Sequence, residues 1–150
     1  MAPDESSTQA ARERYLRPIK LSIALSVLSE AVIFVVWGLI LYPEGSIINK
    51  LLWTVVFCGL GMGSAVGALV ALLVVDRLSG LPALIATTVQ SVVILGVGCN
   101  LLCLNLDRHF LYFGGTENHL LFLGNGIVMS AAGGVIIGWA CFMRTSGSSD

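Results

Sequence analysis

Four long apolar stretches separated by short polar breaks set the pattern of this chain; they cover residues 21–42, 51–75, 83–104 and 120–143. The breaks hold residues that stop helices or carry charge: Pro43-Glu44-Gly45, then Asp76-Arg77 with Gly80-Leu81-Pro82, then the longest polar segment, 105–119. An α-helix needs ~20 predominantly apolar residues to cross a ~30 Å hydrocarbon core. A crossing helix satisfies its own backbone, which lipid cannot do for it. The pattern therefore predicts an all-α integral membrane protein, a four-helix bundle built from residues 21–143. Residues 1–20 read as a disordered tail with a basic collar from residue 12, and residues 144–150 as a second disordered tail.

Lysine and arginine set the expected orientation. With four spans both termini lie on one side, which also carries Arg12, Arg14, Arg17, Lys20, Arg77 and Arg144. The other side carries Lys50 and Arg108. Positive residues stay on the cytoplasmic face, so both termini are expected there.

Within the spans the small residues have their own period. Gly59, Gly63, Gly67 and Ala71 recur every fourth position in the second span, and Gly126, Ser130, Gly134 and Gly138 do so in the fourth. Each set forms a smooth GxxxG-type stripe on a helix, which lets two backbones approach closely in lipid. The two stripes are expected to face each other. The triplets Gly61-Met62-Gly63 and Gly124-Asn125-Gly126 echo one another. They read either as a duplicated hairpin or as coincidence in low-complexity sequence.

Polar residues inside the spans are few. Glu30 is the one charged residue within a span, ten positions beyond Lys20, or ~15 Å at helical rise. An intramembrane carboxylate marks an ion path, a proton site or a buried partner. Ser22, Ser26 and Ser29 share its face and read as an entry route; the alternative is a protonated Glu30 hydrogen-bonded across helices to hold the bundle. Depth arithmetic picks Gln90 as its partner, with Ser64 and Ser130 completing a polar layer. Cys58, Cys99, Asn100 and Asn125 form a second layer nearer the other face.

Composition narrows the function. Hydrophobic residues make up 56% and charged residues 11%, against about 25% charged in soluble domains. No separate soluble domain fits, and no basic surface suits nucleic acid. The four cysteines, Cys58, Cys99, Cys103 and Cys141, lie in apolar runs without a C-x-x-C pair. They read as buried thiols rather than a disulfide framework or metal site, with Cys141 a candidate for palmitoylation. His109 and His119 read as ordinary loop residues, beside an aromatic loop at 107–113 suited to the membrane interface. No catalytic motif or cofactor fingerprint is present.

The run Ser29-Glu30-Ala31-Val32-Ile33, with glycine-rich helices beyond it, resembles parts of two families over about a dozen residues. One is the rotary-ATPase proteolipids, hairpins with a membrane carboxylate. The other is the small multidrug-resistance transporters, four spans with a glutamate in the first. The chain lacks the polar hairpin loop of the first and is longer than the second, so neither function carries over. The expectation is a non-enzymatic accessory, assembly or regulatory subunit of a plasma-membrane or endomembrane complex, without cofactor or metal. Its partners would be the bilayer and other membrane proteins or further copies of itself. The alternative is a small ion- or proton-coupled transporter or channel subunit using Glu30.

Overall fold

A computed structural model describes residues 5–106 and 115–143. Among them the chain is all-helical, with no strands and four helices. α1 covers residues 5–41, α2 is Ile47–Leu73, α3 is Gly80–Leu106 and α4 covers residues 115–143. All four are long and apolar enough to cross a membrane. The 27 residues of α2 reach ~40 Å at 1.5 Å each. Leu28, Leu72, Val93 and Val128 project outward from the four helices, an apolar coat that water would not tolerate at this extent. Parts of the helices, notably 34–41, 52–62 and 92–99, are wound more widely as π-helix.

The helices pack as two tight antiparallel pairs, α1 with α2 and α3 with α4; α1 also meets α4, and α2 meets α3 more lightly. α2 and α4 stand on a diagonal without substantial contact among the described residues. This corrects the expectation that the two small-residue stripes face each other. A Cβ built on Gly63 would lie 2.7 Å from the Ser26 Cβ, and one on Gly67 only 2.5 Å from the Ile19 Cα. On α4, a Cβ on Gly134 would lie 2.7 Å from the Thr88 Cα, and one on Gly138 2.9 Å from the Leu84 Cα. Each stripe therefore receives the preceding helix of its own pair. In the first pair the short connection 42–46 already holds that helix alongside, and in both pairs serines or threonines on the incoming helix present little bulk.

The same packing buries two residues of the expected entry route. Ser22 is fully buried and donates to the Gly63 carbonyl at 2.7 Å, while Ser26 is 6% exposed beneath Gly63. Their face of α1 is mostly a helix contact.

Residues 5–20, expected as a disordered tail, extend α1 as helix from Glu5. Arg14 donates to the Val75 carbonyl at 2.8 Å, and the Tyr15 hydroxyl donates to the Asp76 carboxylate. These contacts dock the extension on the turn between α2 and α3. The tail at 144–150 and the aromatic loop at 107–113, with Arg108 and His109, lie outside the described residues; His119 is exposed near the start of α4.

The α1–α2 connection is tight. Gly45, at φ 87°, takes a left-handed conformation that other residues rarely adopt. Ser46 caps α2 by accepting from the Asn49 amide at 3.3 Å. Lys50, expected as a charge outside the membrane, is instead fully buried. Its ammonium donates to the Gly38 carbonyl at 3.0 Å and to the Tyr42 carbonyl, closing the C-terminal end of α1.

Candidate functional site

Two apolar clusters occupy the two ends of the bundle. One gathers Ile33, Trp37, Cys58, Cys99, Cys103 and Phe122. Trp37 and Phe122 meet edge to face at 5.2 Å and so join α1 to α4. The other cluster is Val66, Val70, Val74 and Ala83. Between them lies a cavity of about 30 Å³ whose polar lining is Ser26, Ser29 and Glu30 of α1, Ser91 and Asn100 of α3, and Ser130 of α4. A water needs ~10–15 Å³ of such space, so the cavity suits one or two waters or a small ion. Ile33 and Leu95, which belong to or pack on the flanking clusters, also line it.

The side chains around Glu30 differ from those expected. Gln90 does not line the cavity; its side-chain oxygen is buried without a hydrogen-bond partner among the described residues. Its neighbour Ser91 takes the place instead, because Ala83, Thr87 and Ser91 form the buried face of α3. One residue along a helix is ~100° of rotation, so Gln90 shares the height of Glu30 but not its direction. Ser64 is also absent, its hydroxyl donating back to the Leu60 carbonyl at 2.5 Å. Ser130 lines the cavity and donates to the Ile127 carbonyl at 3.0 Å.

Asn100 donates its amide nitrogen to the carbonyls of Leu95 at 3.1 Å and Gly96 at 2.8 Å. Its carbonyl oxygen is what it can offer a guest. Across the helix pair Asn100 meets Gly126, where a Cβ would lie 2.0 Å from its Nδ2. Gly126 rather than Asn125 thus faces this polar layer.

Glu30 itself has no hydrogen-bond or ion-pair partner among the described residues. Thr54, Thr87 and Thr88 each donate to the carbonyl four residues earlier, so these hydroxyls are satisfied within their own helices. Hydroxyls and an amide line the same cavity as a carboxyl that is not itself engaged. That arrangement can hold a water, a proton shared with it, or a small cation.

The cysteine layer also departs from expectation. Cys58 and Cys99 form a disulfide with Cα atoms 6.2 Å apart, tying α2 to α3. Cys103 lies beside it, its Sγ 3.7 Å from that of Cys58. The shared depth of Cys58 and Cys99 is legible in the sequence; the rotation that turns both sulfurs toward the α2–α3 seam is not. Cys141 is free and half-buried.

Comparisons with family models, with curated proteins and with solved structures find no match to this chain. Function therefore rests on the geometry of the site.

Proposed function

We propose that this chain is a small multi-pass membrane protein that binds a proton or a small cation at Glu30, as an ion-coupled transporter or channel subunit. The observation that supports this is the unengaged Glu30 carboxyl at a polar cavity between two apolar clusters. A carboxyl retained only to join helices would be expected to bond across to one of them. The space of about 30 Å³ is far below the ~300 Å³ or more of an organic-ligand pocket, so the guest is a water, a proton or a bare ion.

Infrared difference spectroscopy of the reconstituted protein tests this. The carbonyl band of a protonated carboxylic acid should respond to pH, sodium or potassium in the wild type, and that response should vanish in Glu30→Gln. A wild-type band indifferent to all three, or a response that persists in the variant, would remove the ion-binding reading. The second reading, a non-enzymatic accessory or assembly subunit, would then stand; the close stripe contacts within each helix pair favour it.

We also place both termini on the cytoplasmic side of a plasma membrane or endomembrane, from the excess of Lys and Arg there. Single cysteines introduced at Ser6 and Thr116 should react with impermeant maleimide from opposite sides. Reaction of both from one side would overturn the topology.

A further inference from the structure

The site around Cys58 holds one sulfur more than a cross-link uses. Cys58 on α2 and Cys99 and Cys103 on α3 are all buried, and their three Sγ atoms lie within 4.8 Å of one another. Cys99 and Cys103 are one helical turn apart, so α3 presents both sulfurs to the same point on α2. Met62 and Met129 pack against the larger apolar cluster that contains these cysteines. We infer that, once the disulfide is opened, the three cysteines form a binding site for a soft monovalent metal ion, copper(I).

The spacing fits. Metal–thiolate bonds of ~2.3 Å place three trigonal sulfurs about 4 Å apart. Cys58 and Cys103 already stand at 3.7 Å. With Cα atoms 6.2 Å apart, Cys58 and Cys99 reach the same separation by side-chain rotation.

The donor set selects the ion. Every ligand in the group is sulfur, which suits copper(I) and offers nothing to the oxygen-seeking magnesium or calcium. Zinc calls for four strong ligands, and this group among the described residues contains three. Two thiolates and one thiol around a monovalent ion carry one net negative charge. Lys50, also buried, lies eight residues earlier on α2.

The chemistry balances with a dithiol reductant. The dithiol is oxidised to its own disulfide, and the Cys58–Cys99 bond breaks as the two sulfurs take up two electrons and two protons. Copper(I) then displaces a proton from each sulfur that binds it as thiolate. The oxidised chain is the metal-free state of this cycle.

The test uses the whole protein in mild detergent, reduced with a dithiol and then freed of it without oxygen. Copper(I) is titrated against a colorimetric copper(I) chelator. One ion per chain is expected in the reduced protein and none in the oxidised protein. Cys103→Ser should lose affinity by roughly tenfold or more, while Cys141→Ser should bind as the wild type does. X-ray absorption of the wild type guards against a misfolded variant and should show sulfur neighbours alone at ~2.3 Å. No stoichiometric uptake by the reduced wild type, nitrogen or oxygen in the metal shell, or full affinity in a folded Cys103→Ser would each overturn the site.

Discussion

Gly67→Leu should separate α1 from α2 and cost the protein its fold. Even a Cβ at this position lies 2.5 Å from the Ile19 Cα and 3.1 Å from both the Pro18 carbonyl oxygen and the Ser22 Cβ. Two of these three neighbours are backbone atoms, which no rotamer change can move aside. Overpacking a well-packed site costs ~1–3 kcal/mol or more, and leucine adds three carbons beyond that Cβ. Wider separation forfeits close packing along the stripe, and in lipid no hydrophobic drive between helices replaces it. Thermal unfolding followed by size-exclusion chromatography in mild detergent should show a large fall in midpoint, or aggregation. Gly67→Ala should show a smaller fall. Gly124→Ala is the internal control, since nothing lies within 4 Å of its Cβ position. That change should be neutral or stabilise by up to ~1 kcal/mol, because alanine loses less backbone entropy on folding. A Gly67→Leu protein that unfolds at the wild-type temperature would mean that α1 and α2 do not pack through this stripe.

Lys50→Met should be nearly as damaging, by a different route. Methionine preserves much of the volume but removes the donor serving the carbonyls of Gly38 and Tyr42. Leaving a buried acceptor unsatisfied costs ~1–3 kcal/mol, so two acceptors predict a loss of about 2–6 kcal/mol. Relief from burying an ammonium offsets part of this. The loss should be local as well as global. Amides in the last turn of α1, including Tyr42, which donates to the Trp37 carbonyl at 3.0 Å, should exchange faster in Lys50→Met. Unchanged exchange together with wild-type stability would show that the lysine does not hold the end of α1.

The architecture was legible because lipid leaves so few choices. Long apolar runs without charge must be helices, and Pro43, Gly45, Gly80 and Pro82 mark where they turn. The period of four in the glycine stripes announced close helix contacts, but a stripe shows only that a partner comes near. The partner had its own quieter mark in Ser22 and Ser26 on α1, and in Leu84 and Thr88 on α3. On sequence alone the serines read as an ion route, because they lead toward Glu30. Counting residues from the membrane edge gives height and leaves rotation free. Height alone cannot choose between Gln90 and Ser91, and the buried run Ala83, Thr87 and Ser91 decides it. The burial of Lys50 was hidden because nothing local in the sequence says which carbonyls a long side chain will reach.

The placement of each stripe inside its own helix pair bears on how the chain is made. A pair of helices consecutive in the chain closes its main interface over short sequence separation, the kind of contact that forms early and quickly. Because α2 receives α1 and α4 receives α3, the first pair can zip together during biosynthesis before the second has left the ribosome. No glycine-lined surface then has to wait bare among lipids or beside a foreign helix. Only the lighter seams between the pairs are left for the end of synthesis.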